Sequence, residues 1–151
     1  MSLFHYSSFS DPEILELQKL LEEREGVPYT CEREISGIWL HTSDFEAELR
    51  LLLLGQFRVT VSRVCFCRQR KGTMTAVLAW LEHFCRIHQV QSIVIQCVQT
   101  EAMANWCQKN DFQPIPHASI NIHGIVLGDY KKSCSLNGKN AQVRAFFLFL
   151  S

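Results

Sequence analysis

No stretch of this sequence is apolar for the ~20 residues that a membrane-spanning helix needs. Its longest apolar runs are residues 51–54 and 146–150, so no membrane partner is expected. Net charge is missing as well, because fifteen basic and fifteen acidic residues cancel. The whole-molecule field therefore steers the chain toward neither nucleic acid nor anionic lipid, and any anion site has to be local. The opening MSLFHYSSFSDPE has no basic region followed by an apolar run and a small-residue cleavage site, so no secretory signal is read and a cytoplasmic location is expected. Seven cysteines contain no Cys-x-x-Cys pair and are odd in number. Reduced structural thiols are expected, with no metal. Repeats, low-complexity tracts and linkers are absent too, so residues 1–151 are expected to form a single domain. What is present is 47% hydrophobic and 20% charged, too apolar for a disordered chain.

Ser10 and Glu13 have capping-box spacing, and Pro12 suits a first helical turn. Ile14, Leu17, Leu20 and Leu21 then recur at helical spacing as far as Gly26, which predicts a helix over residues 11–25. Residues 3–9 and 36–41 read as short strands. Residues 44–54 suit a helix through Phe45, Leu49, Leu52 and Leu53, or a buried strand through 51–54, and both stay open. Residues 56–67 are the clearest strand. Phe57, Val59 and Val61 share one parity, Val64 and Phe66 the other, and the change predicts a bulge near Ser62-Arg63. From Gly72 the period becomes helical, with Met74, Val77, Leu78, Leu81, Phe84, Cys85 and His88 on one face of a helix of nearly five turns. Residues 90–98 follow as a buried strand, and 100–110 as a short helix with Thr100 as N-cap. Strand, helix, strand and helix over about 57–110 make a βαβ unit with parallel, right-handed strands. Further on, residues 128–134 and 141–150 flank Asn137-Gly138, a strong hairpin signal.

The chemistry concentrates at the turn Cys67-Arg68-Gln69-Arg70-Lys71-Gly72-Thr73-Met74-Thr75. A helix N-terminus offers unpaired N–H groups and the positive end of the macrodipole, and Gly72 lets backbone approach an anion without a Cβ. Arg63, Arg68, Arg70 and Lys71 place four of the fifteen basic residues within nine positions. A phosphate site is one reading of this segment and a solvated basic turn is the other. It is neither a P-loop nor a dinucleotide fingerprint, since the lysine-serine/threonine pair and two of three glycines are missing.

From about residue 63 to 114 the chain resembles the GNAT superfamily of acyl-CoA N-acyltransferases, in which a strand leads into Gln/Arg-x-x-Gly-x-Gly/Ala at the start of a long helix. Gln69, Gly72 and Leu78 match that pattern, and Trp106-Cys107-Gln108-Lys109-Asn110-Asp111-Phe112 matches the family's later Tyr-x-Lys-x-Gly-Phe run at Lys109 and Phe112. The resemblance implies an α/β (α+β) fold, with a mixed central sheet flanked by helices and a C-terminal β-hairpin. It also implies acetyl-CoA, or another acyl-CoA, as cosubstrate. Loop amides at Gln69, Arg70, Lys71, Gly72, Thr73 and Met74 would hold its pyrophosphate, and the strand edge at Val64 to Phe66 would pair with the pantetheine arm. Thr75 would also belong to the cofactor site, and Thr100, a further cofactor-site residue, stands where an asparagine is common. Met74 departs from the family's Gly or Ala. Cys107 takes the place of a frequent tyrosine acid, so it and Tyr130 are the candidate acids.

The reaction so implied is direct acyl transfer in a ternary complex to a small-molecule or peptide amine, in which a base or water deprotonates the amine and an acid protonates the leaving thiolate. The alternative is a catalytically inactive protein of this fold that binds acyl-CoA or a protein partner. Glu46 and Glu48 would attract a cationic amine, act as base, or simply face water. His83 and His88 read as surface or core-edge residues, and Trp80 and Trp106 as helix packing rather than base-stacking platforms, so no nucleic acid is expected. The apolar end at 146–150 reads as either a core strand or a homodimer contact.

Overall fold

The computed structural model describes residues 8–67 and 72–134. Within them the order is α1 (Asp11–Glu25), β1 (Thr30–Glu34), β2 (Gly37–His41), β3 (Glu48–Leu54), β4 (Arg58–Cys65), α2 (Thr73–His88), β5 (Ser92–Val98), α3 (Glu101–Lys109), β6 (Gln113–Ile122) and β7 (Ile125–Ser133). The seven strands form one mixed sheet in the order β1-β2-β3-β4-β5-β7-β6. Only β4 and β5 are parallel among the described pairs, and α2 connects them, as the βαβ reading requires. Of the expected strand at 3–9, residues 3–7 lie outside the described residues, and Ser8 and Phe9 belong to no strand. The turn residues Arg68, Gln69, Arg70 and Lys71, the Asn137-Gly138 turn and the strand at 141–150 also lie outside the described residues.

Helix α1 has the boundaries its caps dictate. Ser10 Oγ accepts from Glu13 N–H while Glu13 Oε1 accepts from Ser10 N–H, and Gly26 ends the helix at φ 72°. Ile14, Leu17 and Leu21 are buried against the core, which also takes Val77, Leu78, Leu81 and Phe84 of α2. Burial of each such side chain contributes about 1.5–3 kcal/mol. Phe9, Trp80 and Phe84 stack within 4.8–6.1 Å of one another, and Glu13 Oε2 meets His88 Nε2 at 2.6 Å, so the two helices lock along their length.

The open choice at 44–54 resolves as turn then strand. Thr42 Oγ1 accepts from Ala47 N–H, Asp44 accepts from Glu46 N–H, and Phe45 takes φ 59°, after which β3 alternates buried Leu49, Leu51 and Leu53 with half-buried neighbours. The bulge in β4 is present: Arg50 faces Arg63 and Leu51 faces Val61, which leaves Ser62 as the extra residue.

Two strands were not legible. Three of the five residues of β1 are charged, and it is held by ion pairs, Glu34 with Arg50 and Glu32 with His41, as much as by apolar alternation. Strand β6 contains Pro114 and Pro116, which argue against an interior strand but fit this edge, where the register with β7 breaks between Pro114 and Ser119. The described C-terminal hairpin is therefore β6–β7. Its two-residue turn, His123-Gly124, has both φ values positive (52° and 86°), and Asn121 Oδ1 caps Gly124 N–H at 2.9 Å.

Candidate functional site

Strands β4 and β5 pair only over residues 58–61 and 92–95. Beyond that they part. The bulge at Ser62 bends β4 on one side, and on the other the register of β5 with β7 shifts between Ile95 and Val98, where Cys97 takes φ 56° and its N–H donates to Asp129 Oδ1 at 3.0 Å. The edge of β4 at 62–65 that faces β5 thus has no strand partner among the described residues.

A cleft of about 630 Å³ fills the gap, within the range of small-ligand sites. Val64 and Cys65 of β4 and Phe66 just past it line the cleft, with Gly72, Thr73, Met74 and Thr75 at the opening of α2, residues 95–98 of β5 and Gln99 after it, and Thr100, Ala102, Met103 and Trp106 at α3. Trp106 Nε1 donates to Thr75 Oγ1 at 3.1 Å, tying α3 to the first turn of α2 across the cleft. A second cavity of about 610 Å³ lies where β4 and β5 begin, lined by Leu54, Phe57, Arg58 and Lys131 among others. Ligands of open α/β sheets gather at the carboxyl ends of parallel strands, which favours the first cleft.

Its electrostatics come from α2. Helices α1 and α3 have side-chain N-caps, Ser10 and Thr100, and acidic residues in their first turns. Helix α2 begins at Gly72 with no side-chain cap and no acid in its first turn. The first intrahelical bond runs from Ala76 N–H to Gly72 O, so the amides before Ala76 precede the helical ladder and point out of its positive end. The glycine is required by its φ of 84°; a Cβ there would make only an ordinary 3.5 Å contact with Arg24 Nη1.

Of the residues expected at the site, Val64, Phe66, Gly72, Thr73, Met74, Thr75 and Thr100 come together around this one cleft. Arg63 does not join them: its guanidinium bonds Glu48 at 2.9–3.0 Å on the sheet. Glu48 also accepts from Trp39 Nε1, so it is an engaged carboxylate held below the ordinary range, first by Arg63. Cys107 is fully buried on α3, and burial pushes its thiol up to about 12. Tyr130 is fully buried on β7 and its hydroxyl donates to Val126 O at 2.6 Å. Neither lines the cleft. His88 pairs with Glu13 and His83 is exposed, both away from the site.

Several residues of the site went unread in the sequence. Gln96 and Cys97 are consecutive exposed residues in an otherwise buried strand, and that break in the pattern is a usable signal for the bulge. Trp106, read as packing, reaches the cleft. Glu25 of α1 is 2% exposed; Oε1 accepts from Cys67 N–H at 2.6 Å and Oε2 from Thr73 Oγ1 at 3.0 Å. Nothing in the sequence links it to residues 42 and 48 positions away.

No protein-family model and no curated protein sequence matches the chain. Solved structures do. A GNAT family acetyltransferase from Elizabethkingia anophelis with acetyl-CoA bound is 13% identical at TM-score 0.44, over 66% of this chain and 76% of that one. An IAA acetyltransferase from Bacillus cereus is 14% identical at TM-score 0.47, over 76% and 90%. Nourseothricin acetyltransferase is 11% identical at TM-score 0.48 over 65% of this chain, which spans only 64% of that protein's. Among the described residues no helix is long and apolar enough to cross a membrane. Across most of its length the chain is similar, at low sequence identity and at TM-scores below 0.5, to solved GNAT family acetyltransferases; its own described fold is α+β, with a mixed sheet, a parallel β4–α2–β5 unit and a β6–β7 hairpin.

Proposed function

We propose that the chain is an acyl-CoA-dependent N-acyltransferase that passes an acyl group, acetyl in the first instance, directly to an amine of a small molecule or peptide. The observation that carries this reading is the cleft between the parted ends of β4 and β5, opening onto the uncapped start of α2. The amides at residues 72–75 suit the diphosphate of the coenzyme. The unpaired edge of β4 suits the amide groups of the pantetheine arm, which would complete hydrogen bonds that β5 makes lower in the sheet. Phe66, Met74, Val98 and Met103 supply apolar wall for the arm and the acyl group. Chemistry at such a site is chiefly positioning, with the amine held in line with the thioester carbonyl. Calorimetric titration of the purified chain with acetyl-CoA tests the reading directly. Saturable binding with a thermal shift is expected, and no heat together with an unmoved melting curve removes it.

A specific observation favours a second reading, a binding protein of the same fold without turnover. Among the described residues that line the cleft, the only ionisable side chains are the thiols of Cys65 and Cys97. General acid–base catalysis contributes typically 10²–10⁴-fold, so a site without a placed acid or base transfers slowly unless water serves. Release of free CoA across a panel of amines separates the two: turnover with any acceptor selects the enzyme, and tight binding with no release selects the binder.

A further inference from the structure

A buried carboxylate directly beneath an anion-binding helix terminus is an electrostatic liability, since it repels the ligand's charge. Glu25 occupies that position. It ends α1, it is 2% exposed, and among the described residues Cys67 N–H at 2.6 Å, Thr73 Oγ1 at 3.0 Å and Tyr29 Oη at 3.4 Å converge on it. The Tyr29 hydroxyl is pushed well above the ordinary phenol range, first by burial and then by the negative charge of Glu25. The first two donors bracket the segment in which the sequence concentrates its basic residues, one on each side of residues 68–72. Gly26, with φ 72° and its N–H on Glu22 O, closes α1 immediately after it and fixes the carboxylate's root to the helical layer. Next to it, Arg24 Nη1 lies 3.5 Å from where a Cβ on Gly72 would stand, so the last turn of α1 abuts the first turn of α2 at the same point.

We infer that Glu25 is a positioning residue for the coenzyme: it ties Cys67, just past β4, and Thr73, the first residue of α2, to the end of α1, so that the amides opening α2 are set for a diphosphate before it arrives. The inference rests on the acyl-CoA reading of the cleft. Its physical content is pre-organisation. A helix start already tied to its neighbouring helix loses less conformational freedom on binding, and that gain outweighs the carboxylate's repulsion of the ligand only if the tie is tight. Two bonds to the two oxygens of one carboxyl group, from an N–H and a buried hydroxyl, form such a tie. The effect concerns the diphosphate and not the pantetheine arm, whose edge on β4 Glu25 does not touch.

Titrating the full chain with CoA and with pantetheine, which lacks the nucleotide and its diphosphate, tests this. Wild type is expected to prefer CoA, and Glu25→Ala to lose about tenfold of that preference, the scale of a lost hydrogen bond to a charged group, while pantetheine binding stays unchanged. Glu25→Gln, which keeps one acceptor oxygen for Cys67, should recover part of the loss. A merely structural role would weaken both ligands alike, and that result, or an undiminished preference, overturns the inference. If Glu25→Ala does not fold, Thr73→Val removes one of the two ties without changing shape; a preference for CoA reduced about threefold supports the inference and an unaltered one overturns it. Wild type that binds neither ligand, or binds CoA no better than pantetheine, instead sinks the acyl-CoA reading itself.

Discussion

The same two strands make a core at one end and a cleft at the other. Over residues 58–61 and 92–95, β4 and β5 share a parallel ladder, and Val59, Val61, Ile93 and Ile95 are buried to 1% or less. Beyond them each strand has taken a bulge, Cys65 and Cys97 are exposed, and the space between is cavity. The lesson is that the site is made by interrupting a ladder rather than by adding a loop. Each bulge changes which way the backbone groups point, and the helices that follow bring their N-termini to the gap.

That contrast can be broken from either half. The largest effect belongs to the closed half: Leu51→Ala, which empties the position facing Val61, should cost about 3 kcal/mol of unfolding free energy in denaturant titration while leaving the CoA-over-pantetheine preference unchanged. A smaller cost with a larger functional consequence is expected in the open half. Gly72→Ala forces a side chain to φ 84°, for about 1–2 kcal/mol, and acetyl-CoA affinity should fall with it because the same residue opens α2. Cys107→Ala sharpens the boundary between the halves. The thiol is buried in α3 and outside the cleft, so stability should drop by about 1 kcal/mol with any acyl-transfer rate preserved. A rate lost per correctly folded molecule would restore the catalytic role expected of it from the sequence.

The smallest effect is a pH dependence on the sheet beside the site. Arg63, and behind it Trp39, hold the Glu48 carboxyl below its ordinary 4.5 against the opposing influence of burial. A depressed folded value contributes stability above 4.5 that disappears as pH falls through the folded value. The wild type should therefore exceed Glu48→Gln by a constant margin near neutrality, and the two denaturation midpoints should converge in acid. Parallel midpoints at every pH would show that Arg63 and Glu48 are not coupled in solution.

The legible parts of the fold were those with a local cause. The Ser10–Glu13 box and Gly26 bound α1, the parity change at Ser62 revealed the bulge, and Thr100 with its bond from Met103 N–H began α3 as expected. What stayed hidden was held by partners distant in sequence. Strand β1 exists because β2 and β3 bring Arg50 and His41 to its glutamates, and β6 exists because an edge with a broken register tolerates two prolines. At the site, the start of α2 was readable from Gly72, whereas Trp106 and Cys97 were not, because their approach to the cleft depends on where α3 and the β5 bulge fall.

By itself the amino-acid order determined the alternation of elements, the caps, and the place where a strand hands over to a helix through a basic, glycine-ended turn, since each of these depends on neighbours within a few residues. Only the tertiary structure decided which groups meet there. It turned Arg63 away toward Glu48, drew Cys107 and Tyr130 into the core, and brought Glu25 from the end of α1 under the first turn of α2. The physical reason is burial: a carboxylate or thiol is assigned its role by the donors and apolar atoms that surround it, and packing between elements decides which those are.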